Sequence, residues 1–421
     1  MAGSSHVLES PPSAATPILD RLVPVPQPRN HGRLASLWRV LFWALIGAAI
    51  GMTLLLADKT FFDTLMEPLS RALSRLTPLG FLLAFFVCQY VVVIVHEMGH
   101  LIFGLWAGLR FNFVSFGPLL INRDFKASLH WKQRSGAGGL TSMVPNGNHR
   151  LRWRLLFMIV GGPMANLTSA AIAAMAYKSH SGNFSAVLGV FLWLSVFTGL
   201  FNLVPFRSIS ILSDGKRIWL LLLNKKKGER WLSNTLLATA LINGDRPRDF
   251  DKEMLKSAVS FTDNSPDTVS AHALAYMAAF DAQQDDQAAR FLETCLAYCK
   301  FAAPSGREGL FISAAVFQAR RRRHVDLAEQ WLAAVPAKTQ IPGMRSQAEA
   351  AILEAQGKIE DALAKLEECK AECATIAQPS MRTLSLASIE RWKNELSAAG
   401  SPSASGNKAN PTSKSKVFNG L

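Results

Sequence analysis

VVVIVHEMGHLIF, residues 91–103, combines a strongly apolar run with three ionisable side chains. It places two histidines and a glutamate among aliphatic and aromatic side chains. Because helical residues i and i+4 share a face, His96 and His100 can bind one metal ion, and Glu97 lies beside them to exchange a proton with water. Such polar groups are costly in hydrocarbon and persist there mainly when they face a protein interior and have a role. The stretch therefore predicts metal chemistry within a membrane.

The length of the surrounding apolar segment supports a membrane helix. Residues 79–105 contain no Lys, Arg or Asp, and Glu97 is their only acidic residue. The segment is longer than the roughly 20 residues that a bilayer-spanning helix needs. The alternative is a soluble or interfacial helix whose polar residues are satisfied by neighbours, but a soluble core helix rarely has so long an apolar run.

Three further segments are apolar enough to cross a bilayer, so we expect about four spans in all. They are residues 40–57, 155–177 and 184–203. Residues 218–223 form a fifth apolar run, which is too short to span alone. The sequence thus predicts an all-α polytopic membrane protein in its first half.

The basic residues between the spans predict the orientation of the chain. Eight Lys and Arg lie between residues 110 and 154, whereas the few basic residues of the first connection are balanced by acidic ones. By the positive-inside rule, the basic loop and both termini lie in the cytoplasm. Residues 1–36 show no pattern of a cleaved signal peptide. We expect an integral, multi-pass protein of a bacterial inner membrane.

A catalytic zinc needs a third protein ligand in addition to two histidines. Depth in the membrane favours Asp214. At 1.5 Å per residue, His96 lies about 26 Å along its helix from residue 79, and Asn202 lies about 27 Å along its own helix from residue 184. The other acidic residues and histidines considered are Asp58, Asp63, Asp124, His130 and His149.

The segment after Asn202 can bring Asp214 to the histidines. Pro205 ends the regular helix, so the chain can continue in irregular form near the same depth. Gly215 would allow a close backbone approach. The alternative is that Asp214 is only a solvated N-cap of the helix that follows.

A third motif, GGPMAN at residues 161–166, opens the third span. Its glycines allow a neighbouring helix to approach closely, and Asn166 lies one turn beyond Gly162 on the same face. By themselves, such residues are also ordinary packing contacts between membrane helices.

Together, and in this order, the three motifs resemble those of the site-2 protease family of intramembrane zinc metalloproteases. HEMGH at 96–100, GGPMAN at 161–166, and NLVP at 202–205 followed by Asp214 and Gly215 correspond to the family patterns HExxH, GGPxxN and NxxP…DG. The resemblance covers about residues 79–224. An ordered trio is far more specific than any one motif.

The resemblance implies a zinc endopeptidase that cleaves membrane-anchored proteins, in regulated proteolysis. Glu97 would be the general acid and base. Asn202 and Asn166 would bind or orient the substrate or the site. The Zn²⁺ ligands would be His96, His100 and Asp214.

The chain departs from the family pattern in two respects. Residues 206–213 make a longer spacer before the aspartate than family members commonly have, and the chain shows no PDZ-like module. A catalytically silent, membrane-tethered adaptor that works through its second half is the alternative function. Retention of both histidines and the glutamate favours the enzyme.

Residues 111–121 and 125–132, which join the second and third spans, are strand-like. They predict a small interfacial β-hairpin whose edge could pair with an extended substrate. The alternative is a merely structural hairpin anchored by Trp131 and its basic neighbours.

From residue 225 onward the chain becomes Ala-rich, charged and helical in period. Ala282, Ala319 and Ala355 recur every 36 or 37 residues, close to the roughly 34-residue period of tetratricopeptide helix pairs. We therefore predict a cytosolic, tetratricopeptide-like helical-repeat domain that could bind a protein or peptide partner. The alternative is an irregular helical domain without a ligand. The predicted divisions are a disordered tail (residues 1–36), a membrane metalloprotease domain (37–224), the helical domain (225–396) and a second disordered tail (397–421).

Two other features invite metal or nucleic-acid binding. Cys295 with Cys299, and Cys369 with Cys373, stand at i and i+4 and could form a Cys₄ zinc site, but reduced core cysteines are expected in a cytosolic domain. The net charge of +14 and the run of four arginines at residues 320–323 are features that nucleic-acid-binding proteins also show. Much of this charge flanks membrane spans, so we expect a lipid bilayer and a membrane-protein substrate, and no nucleic acid.

Overall fold

The structure, a computed structural model, is described for seven stretches of the chain. Within them, a bundle of long apolar helices with a small sheet is followed by a helical domain. The described residues are 17–21, 59–129, 138–207, 212–337, 339, 341–376 and 378–400.

Three of the described helices are long and apolar enough to cross a membrane. They follow helix α1 (Lys59–Arg75) and are α2 (Pro78–Trp106), α3 (Leu151–Ser179) and α4 (Gly182–Leu203). They correspond to three of the four predicted spans. The predicted span at residues 40–57 lies outside the described residues.

Helix α1 was expected only as part of a connection, but it belongs to the core of the bundle. Ala72 on α1 is fully buried in a cluster with Ala186 and Val190 of α4. The two helices pack so closely that a Cβ on Gly189 would lie 2.7 Å from the carbonyl oxygen of Pro68. The absence of a side chain at Gly189 therefore permits this contact.

A four-stranded antiparallel sheet connects α2 to α3. Its strands are β1 (Arg110–Phe116), β2 (Leu119–Asn122), β3 (Ala127–Leu129) and β4 (Gly139–Val144), in the order β3-β2-β1-β4. The predicted hairpin corresponds to β1, β2 and the short β3. Strand β4 was not predicted, although it lies nearest to the motif on α2.

The sheet lies alongside α2 and not only beyond its end, as an interfacial hairpin would. The Tyr90 hydroxyl donates a hydrogen bond to the carbonyl of Phe116 at 3.3 Å. A Cβ on Gly138, next to the start of β4, would lie 3.4 Å from Val93. Because Tyr90 and Val93 precede the HEMGH motif, the strands follow the helix back past the motif.

One arginine ties the end of α2 to the start of α3. The Arg154 guanidinium donates to the carbonyl of Ala107 at 2.7 Å and to that of Gly108 at 2.6 Å. It also donates to the carbonyl of Asn146 at 3.3 Å. Carbonyls at a helix C-terminus have no intrahelical partner, so this one side chain satisfies them.

The second half of the described chain is helical. Helices α5 (Asp214–Leu223) and α6 (Lys225–Asn243) connect the bundle to it, and the Ala-rich segments fall in α8, α10 and α12. The tetratricopeptide likeness of the helix pairs stays a prediction. The helices after α6 are α7 (Lys252–Ala258), α8 (Pro266–Asp281), α9 (Asp285–Ala297), α10 (Pro304–Phe317), α11 (Val325–Ala333), α12 (Met344–Ala355), α13 (Ile359–Cys373) and α14 (Pro379–Gly400).

Part of each predicted tail is ordered. Residues 17–21 include a 3₁₀ turn, Ile18–Asp20, and Leu19 is fully buried in the core of the helical domain. The prediction of disorder is therefore wrong for these five residues. At the other end, α14 continues to Gly400 and so includes the first four residues of the predicted tail.

The cysteines of the helical domain are core residues. All four are free and buried, and they belong to the same apolar cluster. Among the described residues, the group suited to a metal ion is His96, His100 and Asp214, so no Cys₄ site is formed there.

The arginine run of the helical domain is engaged within the chain. Each of the four side chains has an acidic partner. The pairs are Arg320 with Glu354 and Glu395, Arg321 with Asp285, Arg322 with Asp20, and Arg323 with Glu354.

Candidate metal centre

The two histidines of the HEMGH motif face the same buried point. His96 and His100 lie on α2, which is continuous through the motif, and are 7% and 5% exposed. Their Nε2 atoms are 3.2 Å apart. The i, i+4 spacing thus brings both rings to one face, as the sequence predicts.

The carboxylate of Asp214 completes the cluster. Its Oδ2 lies 3.1 Å from Nε2 of His96 and 3.4 Å from Nε2 of His100. Asp214 is the first residue of α5 and is 4% exposed. It is therefore no solvated cap, and the N-cap position belongs to Ser213.

The outer ring nitrogens are bound by helix α3. Nδ1 of His100 donates to the carbonyl of Met158 at 3.0 Å. Nδ1 of His96 lies 3.1 Å from the side-chain amide of Asn166. A neutral imidazole that donates through Nδ1 keeps a lone pair on Nε2. For His100, this arrangement directs the Nε2 lone pair at the Asp214 carboxylate, a pairing that a cation between them would satisfy.

The spacing of the three atoms fits a tetrahedral metal ion. With metal–ligand bonds of about 2.0–2.1 Å, neighbouring ligand atoms in a tetrahedron are about 3.3–3.4 Å apart. The observed separations are 3.1, 3.2 and 3.4 Å. Three side chains could therefore hold a metal ion and would leave a position for water or substrate, as in a catalytic zinc site.

Asn166 has the features of a residue that fixes the tautomer of His96. It is fully buried, and among the described residues its Oδ1 has no hydrogen-bond partner. The oxygen and nitrogen of an amide are interchangeable by a flip of the side chain. With the oxygen towards His96, it would accept from Nδ1–H and leave Nε2 free for a metal.

Two sets of contacts join the described ends of the spacer before Asp214. Arg207 and Leu212 pair as an isolated antiparallel bridge. The Ser213 hydroxyl accepts from the backbone N–H of Phe206 at 3.0 Å and from that of Lys216 at 3.1 Å. Asp214 thus reaches the histidines despite the longer spacer.

Two glycines make room for this geometry. A Cβ on Gly162 would lie 2.5 Å from Nε2 of His100. A Cβ on Gly215 would overlap the carbonyl of Leu203 at the end of α4. A side chain at either position would displace a predicted ligand, so both glycines are required by close approach rather than by backbone conformation.

The second oxygen of Asp214 is held from outside the cluster. Nη1 of Arg217, one turn further along α5, lies 3.5 Å from Oδ1. The carboxylate is thereby oriented with Oδ2 towards the histidines. Such outer contacts fix the direction of a metal ligand.

Strand β4 holds the glutamate of the motif. The Thr141 hydroxyl donates to Oε2 of Glu97 at 2.6 Å and also lies 3.0 Å from the Glu97 carbonyl. A Cβ on Gly139 would lie 2.7 Å from Oε1, so the strand passes directly against this side chain. Glu97 is 7% exposed. Glu97 therefore lies between α2 and β4, next to the cluster of His96, His100 and Asp214.

The structure places Asn202 differently from the other predicted residues. Its side-chain amide donates to the carbonyl of Thr198 on its own helix at 3.0 Å. Its expected role in orienting the substrate stays a prediction.

Sequence reasoning missed the residues that support the site. Thr141, Ser213 and Arg217 were not singled out. Ser213 and Arg217 flank the predicted aspartate and could have been read from helix-capping and i, i+3 spacing. Thr141 carried no local signal, because its role depends on the pairing of β4 with β1.

The part of the chain that contains the first two motifs is similar to a known protein family. Residues 84–182 match peptidase family M50. The match includes both histidines, the glutamate and the GGPMAN motif, and it implies a metalloprotease. It stops before Asp214, whose place at the site rests on the structure. Comparisons with curated proteins and with solved structures give no match.

Proposed function

We propose that the protein is an intramembrane zinc endopeptidase of the site-2 type, which cleaves membrane-anchored proteins in regulated proteolysis. The observation that carries this proposal is the convergence of His96, His100 and Asp214 at a buried point on an apolar span, with Glu97 beside them. The match of residues 84–182 to peptidase family M50 supports the same chemistry.

The chain's own residues supply the proton transfers. Glu97 would accept a proton from the attacking water and deliver it to the leaving amine. Thr141 positions the Glu97 carboxylate through its 2.6 Å hydrogen bond. When bound, zinc polarises the scissile carbonyl and makes water acidic near neutral pH.

Strand β4 offers a place for the substrate. It pairs with β1 on one side, and no described strand pairs with its other side. A membrane helix hides its carbonyls in i to i−4 hydrogen bonds, so it must unwind before hydrolysis. We propose that the unwound segment adds to β4, which would hold it extended beside Glu97.

The orientation proposed from the basic residues gains support from a contact. Residues 17–21 pack against the helical domain, so the two lie on one side of the bilayer. With the predicted span at residues 40–57, the chain crosses the bilayer an even number of times between residues 17–21 and the helical domain. An even number of crossings returns the chain to the same side. We propose that this side is the cytoplasm and the membrane a bacterial inner membrane.

The experiment that tests the function is a comparison of membrane proteomes. Cells with the wild-type protein should contain shortened membrane proteins that are absent in cells with Glu97→Gln, because the amide cannot exchange protons. Loss of a general base lowers rates by about 10²–10⁴-fold. Metal content of the purified variant should be unchanged.

Glu360→Gln, at an exposed position of the helical domain, is the matched control and should process normally. An adaptor that acts through its helical domain would be unaffected by either change. Identical proteomes for wild type and Glu97→Gln would therefore reject the enzyme and favour the adaptor.

A further inference from the structure

The N-terminal segment Pro17–Arg21 is held by the helical domain in the way that a receptor holds a short peptide. The side chain of Leu19 is fully buried in the core of that domain, and Ile18 packs against the same cluster. The turn's own backbone bond joins the N–H of Asp20 to the carbonyl of Pro17 at 2.9 Å. A compact turn thus presents one leucine to an apolar pocket.

Two buried donors of the pocket converge on one backbone carbonyl. The carbonyl of Leu19 accepts from the Gln318 amide at 2.6 Å and from the Trp331 indole at 3.3 Å. Both donor side chains are fully buried. With the segment in place, both buried donors have an acceptor, as buried polar groups require. The pocket is therefore built for a peptide group and not only for an apolar side chain.

A charge completes the recognition. Arg322 forms an ion pair with the carboxylate of Asp20, and the Gln318 amide lies 3.4 Å from the same carboxylate. Three features of the segment are recognised in sequence: the leucine side chain, its carbonyl and the following acidic group.

The recognising residues lie on an unusual turn. Residues Gln318–Arg322 form a π turn after α10, and Arg323 ends it with φ +58°. Such π turns are rare and recur at functional sites. Here the turn carries both Gln318, which binds the carbonyl, and Arg322, which binds the carboxylate.

We propose that the helical domain contains a peptide-binding site for a leucine followed by an acidic residue, and that residues 17–21 occupy it within the same chain. Because the segment is part of the same chain, its effective concentration at the site is up to about 1 mM. Free peptides that bind the site more weakly are therefore excluded. Displacement of the segment opens the site to an acidic peptide of another protein. The site is separate from the metal centre, so its test does not depend on proteolysis.

The first test measures binding of a fluorescent peptide of residues 14–24 to the purified full-length chain by anisotropy. Leu19→Asp in the chain empties the site, so this variant should bind the peptide at least about tenfold more tightly than wild type. A control peptide that carries Leu19→Asp should not bind. Equal binding to both chains, or equal binding of both peptides, would overturn the proposal.

A charge exchange tests the acidic preference. Adding Arg322→Glu to the Leu19→Asp chain should weaken binding of the natural peptide and favour a peptide with Asp20→Arg. If the preference between the natural peptide and the Asp20→Arg peptide did not change, Arg322 would not take part in recognition.

A further measurement uses the wild-type chain and so does not depend on how the variants fold. Arg21 is the first Lys or Arg of the sequence, so trypsin can release the fragment of residues 1–21 only by cutting there. An excess of the free peptide with Arg21→Ala should displace the segment and speed this release, as followed by mass spectrometry. The Leu19→Asp form of that competitor should have no effect. If the competitor with the natural Leu19 left the rate of tryptic release unchanged, the segment could not be displaced and the proposal would be wrong.

Discussion

Each histidine of the candidate metal centre uses its two ring nitrogens for different contacts. Nδ1 of His100 is fixed by the Met158 carbonyl and Nδ1 of His96 by Asn166, which leaves both Nε2 atoms to face Asp214. The selection of the ring tautomer is thus a property of α3, while the ligands themselves come from α2 and α5. A metal held in this way depends on three separate elements.

Removal of the carboxylate should release the metal. We expect Asp214→Ala to lower the zinc content of the purified protein, because two histidines alone make an incomplete site. The metal-to-protein ratio measures this directly. Asp286→Ala, at an exposed position of the helical domain, is the control and should keep its metal. Full occupancy in Asp214→Ala would show that another residue is the third ligand.

Loss of the Thr141 hydroxyl should lower activity and leave the metal in place. Its bond to Glu97 holds the carboxylate, and such supporting contacts are worth about 10–100-fold in activity. Thr141→Val should show this loss in the rate of cleavage of a membrane-anchored substrate, whereas Thr141→Ser, which keeps the hydroxyl, should retain most of the rate. Equal rates for the two variants would argue against a positioning role.

At the level of elements, the parts fixed by local pattern were predictable and the parts fixed by distant contacts were not. Helices α2, α3 and α4 follow from their long apolar runs. Strand β4, GLTSMV, has little strand character of its own and exists because it pairs with β1 and packs on α2. Helix α1 is likewise buried by α4, and its own charged sequence suggested a connection.

The long spacer before Asp214 shows the same division. Pro205 predicted where α4 ends, and α4 ends at Leu203. The pairing of Arg207 with Leu212 joins residues whose types carry no pairing signal. The sequence therefore predicted that Asp214 lies with the two histidines, but not the contacts that bring it there.

The close contact of α3 with the histidine rings gives a prediction for the GGPMAN motif. Gly162→Ala should displace His100, because the added Cβ would lie 2.5 Å from Nε2. We expect a reduced metal content with the helices still formed, measured by metal analysis and circular dichroism. Gly306→Ala is the matched control, since its Cβ would meet only ordinary contact at 3.6 Å. Normal metal content in Gly162→Ala would mean that the rings can shift without loss of binding.

Across the whole molecule, a salt bridge connects the membrane domain to the helical domain. Arg207, in the segment that leads to Asp214, pairs with Asp267 of α8 at 2.6 Å. Within the helical domain, the fully buried Arg230 of α6 donates to Asp263 at 2.9 Å. The loop of the metal centre is thus in direct contact with the domain that carries the peptide site.

The pairing of Asp263 predicts a dependence of stability on pH. Burial acts to raise the pKa of Asp263, but hydrogen bonds from Ser265, Lys227 and Arg230 outweigh it and lower the pKa below the ordinary aspartate value. Because the pKa is lower in the folded state than in the unfolded state, the ionised carboxylate stabilises the fold at pH values above the unfolded pKa of about 3.9. This stabilisation is lost as the pH falls below that value. The midpoint temperature of thermal unfolding, measured by circular dichroism, should therefore fall when the pH is lowered from about 5 to about 3, which is about one unit on either side of that pKa.

Asp263→Asn isolates the contribution of this carboxylate. At pH 7 the variant should lose about 1.5–3 kcal/mol, which is typical of hydrogen bonds to a charged group. Its unfolding temperature should also change less than that of the wild type as the pH falls. Asp286→Asn, which removes an exposed carboxylate, should follow the wild-type curve. Parallel curves for wild type and Asp263→Asn would assign the acid sensitivity to other groups.

The bonds of Arg154 to the carbonyls of Ala107 and Gly108 have a consequence for how a polypeptide could enter. They anchor the end of α2, so a rotation or slide of that helix would strip two carbonyls of their donor. Helical movement is therefore an expensive way to admit a guest. A polypeptide that reaches the site would pass a helix end that Arg154 of α3 holds in place.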